Sequence, residues 1–174
     1  MMKRLLLLAC AATTVLAQGP GGPVNREAPV TPVPFERILR SNQEPQNWLT
    51  YSGNFNSQRH SGLTQIGPGN AADLTLKWVF QSRSLDKHEV TPLVVDGVMY
   101  TIQSPNDVIA LDPGTGAERW RHMEHVGLDR RPGNQYTCRG VAYWRDAHAR
   151  AEIPCAARVF MGTTDARLVA LNAK

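Results

Sequence analysis

One phrase of this chain occurs twice and restricts the folds that it can adopt. The full form occupies residues 108–120, Val-Ile-Ala-Leu-Asp-Pro-Gly-Thr-Gly-Ala-Glu-Arg-Trp, and it begins again at residues 168–174. The apolar run predicts a strand, the Pro-Gly-Thr-Gly segment a turn, and the residues up to Trp120 a second strand. A sheet unit that recurs within one chain indicates a repeat fold, in which neighbouring units cover each other's apolar faces. We therefore expect an all-β fold and, because the second copy breaks off at Lys174, part of a longer array.

The remaining strand signals have the spacing of propeller blades. Residues 91–102 hold two apolar runs separated by Asp96-Gly97, which predicts a hairpin with a two-residue turn. Further strands are predicted at residues 74–80, 139–144, 157–161 and 167–172. Trp78 and Trp120 each close a predicted strand and lie about 40 residues apart, the length of one four-stranded blade. The chain thus holds about two blades, and residues 127–154 form a long connection between them that is either functional or a decorative insertion.

The N-terminal segment has the pattern of an export signal, and we do not expect it to be part of the fold. Residues 1–17 place Lys3 and Arg4 before an apolar run and end in small residues, as cleavable signal peptides do. Lipid attachment at Cys10 is the alternative, although almost no apolar segment would precede that cysteine. Residues 18–43, rich in proline and glycine, predict an extended arm, and residues 44–174 the propeller part. We expect a periplasmic location.

The distribution of charge makes nucleic acid an unexpected partner. The formal net charge is +4, of which Lys3 and Arg4 contribute two, and the sequence has no basic stripe with interleaved aromatic residues.

The cysteines predict a disulfide. Cys138 and Cys155 remain after export into an oxidising compartment, where such a pair can form a bridge; two free thiols are the alternative.

Two side chains stand where a loop enters a predicted strand. Glu89 precedes the apolar strand of the first hairpin, where its carboxylate could accept hydrogen bonds from a polar ligand; the alternative is a solvated loop acid. Arg139 lies where a loop runs into the predicted strand at residues 139–144, and its guanidinium could bind a carboxylate or a quinone oxygen there; the alternative is an arginine that caps carbonyl groups. The sequence contains no Ser/His/Asp set, phosphate loop or zinc signature.

Together these segments resemble one family. The matching pieces are residues 44–53, 58–61, 63–66, 88–100, 106–112, 138–142 and 162–171, in this order and spacing. They resemble the pyrroloquinoline-quinone (PQQ) dependent dehydrogenases, which are eight-bladed quinoprotein propellers. The resemblance implies that this chain is an incomplete eight-bladed β-propeller, about its first two blades, and that Glu89 and Arg139 contact the quinone.

The rest of the family's apparatus is expected downstream of Lys174. The resemblance places the calcium ligands, the aspartate base and the tryptophan beneath the quinone there, so the 174-residue chain alone is expected to be inactive. The implied substrate is an alcohol or a sugar or polyol hydroxyl. The implied electron acceptor is a cytochrome c or a membrane quinone.

One departure leaves the substrate open. Alcohol-oxidising members carry two adjacent cysteines shortly before the arginine, whereas this chain has Gly133, Asn134 and Gln135 in that region. The Cys138-Arg139-Gly140 phrase resembles the sugar and polyol branch instead, while residues 44–100 resemble the alcohol branch. A non-catalytic propeller of the outer-membrane assembly lipoprotein type is the alternative to an enzyme, and a truncated reading frame is a third possibility.

Overall fold

The computed structural model describes residues 31–127, 136 and 138–174. Seven strands of this part form two antiparallel sheets, in the orders β1-β2-β3-β4 and β5-β6-β7. The first sheet contains β1 Leu93–Val95, β2 Val98–Gln103, β3 Asp107–Leu111 and β4 Glu118–His122. The second contains β5 Ala142–Arg145, β6 Ala157–Gly162 and β7 Leu168–Asn172. Helical structure in the described part is limited to α1 Phe35–Leu39 and to short 3-10 turns at Ser41–Gln43 and Ala71–Asp73. Each strand pairs with its neighbour in sequence, so the predicted all-β architecture is confirmed.

The first hairpin forms as its turn residues predict. Val95 lies opposite Val98, and Asp96 and Gly97 between them have φ angles of 48° and 79°. Positive φ at both central residues defines the turn whose twist matches that of a hairpin, and Asp-Gly adopts it readily. The carboxylate of Asp96 is thereby carried to the tip of the hairpin, where it meets the N-terminal arm.

The prediction of a strand at residues 74–80 is wrong. None of these residues belongs to a sheet in the described part of the chain. Leu74, Leu76 and Val79 are exposed, with Leu76 at 79% of its maximal accessibility. A strand needs a neighbouring backbone that offers N–H and C=O groups in register, and no described segment supplies one here. The sequence alternates as a strand would, but among the described residues no strand pairs with it.

Trp78 nevertheless anchors this segment on the turn between β3 and β4. Its indole N–H donates to the carbonyl of Pro113 at 3.1 Å. Its ring lies so close to Gly116 that a Cβ there would come within 2.5 Å of Cε3, and Gly116 also has a positive φ of 72°. The turn itself is tied by Asp112, whose carboxylate accepts from the backbone N–H groups of Gly114 and Thr115. Only glycine satisfies both the backbone angle and the approach of the ring.

The core lies between the two sheets and includes side chains from both. Its buried members are Leu49, Leu93, Val95, Tyr100, Ile102, Val108, Ala110, Ala157, Val159, Met161 and Ala173. Tyr100 crosses the interface, because its hydroxyl donates to the carbonyl of Ala173 at 2.8 Å. Asn106, which is fully buried, accepts bonds from the backbone N–H and the hydroxyl of Thr164, in the turn between β6 and β7 of the second sheet. Apolar burial and these two polar contacts therefore fix how the sheets stack.

The N-terminal arm is fastened by an ionic network at the tip of the first hairpin. The Arg37 guanidinium donates to Glu44 at 2.6 Å and to Asp96 at 2.5 Å. The hydrogen bond from Arg37 lowers the pKa of Glu44. Burial opposes ionisation of Asp96, but the hydrogen bonds from Arg37 and Thr31 outweigh it and lower the pKa of that carboxyl as well. The sequence analysis did not anticipate this network.

The predicted signal peptide at residues 1–17 and the first part of the predicted arm, residues 18–30, lie outside the described residues. No helix in the described chain combines the length and the apolar character needed to cross a bilayer.

Candidate cofactor site

Glu89 and Arg139 come from equivalent places in the two sheets. Glu89 lies four residues before β1, and Arg139 lies three residues before β5, so each precedes the first strand of its sheet. The backbone N–H of Thr91 donates to the carbonyl of Arg139 at 3.0 Å, which ties the two approaches together. Val90, between Glu89 and this bond, packs against the core. The stacking of the sheets therefore brings together two residues that are far apart in the sequence.

The two side chains form a loose ion pair that faces solvent. Arg139 Nη2 lies 3.8 Å from Glu89 Oε2, and the side chains are 71% and 46% exposed, respectively. An exposed pair at this distance contributes little to stability. Both groups keep free hydrogen-bonding capacity, the carboxylate as an acceptor and the guanidinium as a donor. The arrangement suits the binding of a polar ligand better than the stabilisation of the fold.

Three further residues support this pair, and the sequence analysis did not assign that role to any of them. The Tyr51 ring lies 4.0 Å from the position that a Cβ on Gly140 would occupy, next to Arg139. The Arg59 guanidinium lies over the Tyr51 ring, with 5.4 Å between its carbon and the ring centroid. Cys138 directly precedes Arg139, and its thiol contacts the carbonyls of Gly140 and Gly162. No local sequence signal marks Tyr51, because its neighbour at Gly140 is brought to it only by the fold.

The predicted disulfide between Cys138 and Cys155 is not formed. Both cysteines are free in the structure; Cys138 is half-buried and Cys155 is exposed. The Cys138 sulfur lies 3.5 Å from the carbonyl oxygen of Gly140 and 3.9 Å from that of Gly162. Cys155 lies in the connection between β5 and β6, with a positive φ of 60°. The two thiols thus have different surroundings.

Two acidic residues outside the Glu89–Arg139 pair, Asp112 and Asp165, stabilise the turns that follow β3 and β6. Asp112 binds backbone N–H groups in its own turn and pairs with Arg119 at 2.9 Å. The hydrogen bond from Arg119 lowers the pKa of Asp112. Asp165 accepts from Thr163 and Arg167 in the turn between β6 and β7. Within residues 31–127, 136 and 138–174, no group of three or more His, Cys, Asp or Glu side chains is arranged to hold a metal ion.

Gly133, Asn134 and Gln135, which occupy the region where alcohol-oxidising relatives carry the adjacent cysteines, lie outside the described residues.

The fold and the site together define a class of protein. Two consecutive antiparallel meanders, packed through their apolar faces, have the architecture of neighbouring β-propeller blades. A carboxylate and a guanidinium meet at the same end of these sheets.

Comparison with known proteins identifies the family. Residues 48–174 match the sequence profile described as "PQQ: Glucose/ethanol/alcohol dehydrogenase, beta-propeller domain". The chain is 35% identical over 180 residues to "Alcohol dehydrogenase (quinone), dehydrogenase subunit" of Acetobacter aceti, covering 99% of this chain and 22% of that protein. It is 33% identical over 177 residues to quinohemoprotein alcohol dehydrogenase ADH IIB of Pseudomonas putida, covering 99% of this chain and 22% of that one. The crystal structure of the quinohemoprotein alcohol dehydrogenase from Comamonas testosteroni superposes with a TM-score of 0.68 at 32% identity, covering 81% of this chain and 20% of that one.

The chain therefore belongs to the PQQ-dependent dehydrogenase family, and its two sheets are part of that family's β-propeller. It spans about a fifth of the length of these relatives. The relatives named above are all dehydrogenases, which disfavours the alternative of a non-catalytic outer-membrane scaffold.

Proposed function

We propose that this chain forms the first part of a PQQ-dependent dehydrogenase that oxidises an alcohol or polyol hydroxyl. The relatives support this substrate class: besides the alcohol dehydrogenases, a glycerol dehydrogenase large subunit of Gluconobacter thailandicus is 33% identical over 138 residues. The observation that carries the proposal is the meeting of Glu89 and Arg139 at 3.8 Å, at the same end of two adjacent sheets. A sugar substrate has less support among these relatives.

The chemistry of the two side chains fits the cofactor. PQQ is a planar quinone that carries carbonyl oxygens, carboxylates and a ring N–H, and it supplies a two-electron acceptor for the alcohol carbon. The Arg139 guanidinium can donate to a carbonyl or carboxylate oxygen, and the Glu89 carboxylate can accept from an N–H group. Their exposure of 71% and 46% leaves them available for these bonds. In this proposal the two residues bind and orient the quinone, and neither acts as the base.

The remaining features of the proposed enzyme follow from the resemblance. Calcium would take its ligands from other parts of the propeller. The electrons would leave through a cytochrome c-type haem, as the quinohemoprotein relatives suggest, and a membrane quinone is the other candidate acceptor. The predicted signal peptide at residues 1–17 supports a periplasmic location. We also propose that the 174-residue chain alone does not turn over substrate.

The test is the affinity of the full-length gene product for PQQ, measured by equilibrium dialysis with calcium present. Arg139→Ala and Glu89→Gln each remove charge-assisted hydrogen bonds worth about 1.5 to 3 kcal/mol, so the dissociation constant should rise about 10- to 100-fold. Arg150 and Glu152 provide a matched control, because they form another exposed ion pair, in the connection at the opposite end of β5. Arg150→Ala and Glu152→Gln should leave the affinity unchanged. Wild-type affinity in both site variants would remove Glu89 and Arg139 from the cofactor site.

A further inference from the structure

The Arg139 side chain is exposed, but the backbone that carries it is held from several directions. Its carbonyl accepts from Thr91 N–H at 3.0 Å. The residue before it, Cys138, is half-buried and packs against the core. The residue after it, Gly140, has the Thr91 carbonyl and the Tyr51 ring close by, 3.4 Å and 4.0 Å from where its Cβ would be. A solvent-facing loop arginine with no other role would not need this support.

The Cys138 thiol connects the segment to the neighbouring strand. Its sulfur lies 3.5 Å from the Gly140 carbonyl and 3.9 Å from the carbonyl of Gly162, the last residue of β6. The S–H group is a weak donor, and both carbonyl oxygens are within its range. A movement of the segment away from β6 would break the contact with Gly162 and would shift the backbone that carries the Arg139 guanidinium.

Tyr51 lies next to the segment at Gly140, and it is itself held by contacts with Arg59 and Trp48. The Arg59 guanidinium lies over its ring, with 5.4 Å between its carbon and the ring centroid. The Trp48 indole N–H lies 3.4 Å from the Tyr51 carbonyl, and Trp48 exchanges two backbone hydrogen bonds with Val94, in β1. The ring is therefore anchored to the same sheet that carries Glu89.

We propose that Cys138 and Tyr51 are positioning residues, which hold the 138–140 segment so that the Arg139 guanidinium stays beside Glu89. This inference rests on the function proposed above. Neither residue needs to touch the cofactor, because each acts on the backbone of Arg139 or Gly140. The thiol acts as a hydrogen-bond donor, whereas the tyrosine acts through packing of its ring, so the two roles are tested by different substitutions.

The test uses the full-length gene product and its dissociation constant for PQQ. Cys138→Val keeps apolar bulk but loses the hydrogen-bond donor, and Tyr51→Ala removes the ring. Each substitution should raise the dissociation constant for PQQ about three- to tenfold. Cys138→Ser keeps a donor and Tyr51→Phe keeps the ring, and both should bind within about twofold of wild type. If Cys138 served packing alone, the order of its variants would be reversed, with valine tolerated and serine not. That reversed order would overturn the assignment of Cys138.

A double-mutant comparison distinguishes positioning from a direct or general structural role. In the Arg139→Ala background, Cys138→Val and Tyr51→Ala should cause no further loss, because the side chain that they position is absent. A full additional loss in that background would overturn the proposal. If Arg139→Ala itself binds PQQ like wild type, the proposed function has failed at this residue. If Arg139→Ala binds weakly while Cys138→Val and Tyr51→Ala bind normally, only the positioning proposal has failed.

Chemical modification provides a test on protein that has already folded. In a Cys155→Ser protein, methyl methanethiosulfonate converts the Cys138 thiol to its S-methyl mixed disulfide with release of methanesulfinic acid, which removes the donor, and dithiothreitol reverses the change. A Cys138→Ser/Cys155→Ser protein treated in the same way reports the effect of modification at any other thiol. Binding should weaken about three- to tenfold on modification and recover on reduction. Unchanged binding of the fully modified protein, with modification verified by mass spectrometry, would overturn the role of the thiol.

Discussion

Replacement of Gly116 by alanine should disrupt the contact that anchors residues 74–80. A Cβ at this position would lie 2.5 Å from Cε3 and 2.6 Å from Cδ2 of Trp78, well inside van der Waals contact. These atoms belong to a rigid ring, so a small rotation of a flexible side-chain end cannot relieve the overlap. Either the indole must leave the turn or the turn must move away from the indole.

The expected loss of stability has three sources. An alanine at φ 72° is disfavoured in the left-handed region by about 1 to 2 kcal/mol. Overpacking against a fixed group costs about 1 to 3 kcal/mol. Displacement of the ring also removes the 3.1 Å hydrogen bond from Trp78 to Pro113, which contributes about 1 kcal/mol. Because relaxation relieves part of the overlap, we expect the free energy of unfolding to fall by about 2 to 5 kcal/mol.

The assay is urea unfolding of the full-length gene product, followed by circular dichroism. Gly114→Ala is the matched control: it lies in the same turn, and its Cβ would meet only Asp112 Oδ1, at 3.4 Å. A double-mutant cycle with Trp78→Ala isolates the ring contact, because in that background Gly116→Ala should cost only the backbone term of about 1 to 2 kcal/mol. Equal losses for Gly116→Ala and Gly114→Ala, or an undiminished loss without the indole, would refute the reasoning.

Two further predictions concern the arm and the cysteines. Arg37 holds the carboxyls of Glu44 and Asp96, and the pKa values of these groups lie below the usual 4.5 and 3.8, respectively. A carboxyl whose pKa is lower in the folded protein than in the unfolded chain stabilises the fold when the pH is above its usual pKa. That stabilisation is lost as the pH falls through the folded-state pKa. The urea midpoint should therefore fall between pH 6 and pH 3 by more in wild type than in Arg37→Met, and parallel curves would contradict the network. For the cysteines, thiol titration of unreduced protein should label exposed Cys155 quickly when folded and half-buried Cys138 only slowly, with both labelled after denaturation. If neither cysteine is labelled after denaturation, the two thiols are joined in a disulfide and the structure is contradicted at this point.

The features that the sequence predicted correctly are those whose cause is local. Asp96-Gly97 adopts its turn because these two residues tolerate positive φ, whatever surrounds them. The turn after β3 forms because the Asp112 carboxylate binds the backbone N–H groups that immediately follow it. Each hairpin contains the chemistry of its own turn, so a single sequence was sufficient to place it.

The features that it missed depend on partners elsewhere in the molecule. Residues 74–80 have the alternation of a strand, but alternation describes only one side of a pairing and does not supply the other. The Cys138–Cys155 disulfide was predicted from compartment and cysteine parity, neither of which carries information on how the two thiols lie in space. The Arg37 network joins the arm to a hairpin tip that lies 59 residues further along the chain, and no spacing rule connects them.

The candidate site falls between these two cases. Glu89 and Arg139 each precede the first strand of a sheet, and in a repeat fold equivalent positions of successive units lie at the same end of the array. The sequence could therefore place both residues at one end of the blades. It could not show that they meet at 3.8 Å, because that distance depends on the Thr91–Arg139 hydrogen bond between the sheets. Nor could it predict the contacts of Tyr51 and Cys138 near Arg139, because the approach of Tyr51 to Gly140 depends on the stacking of the two sheets and the contact of Cys138 with Gly162 on pairing within the second sheet.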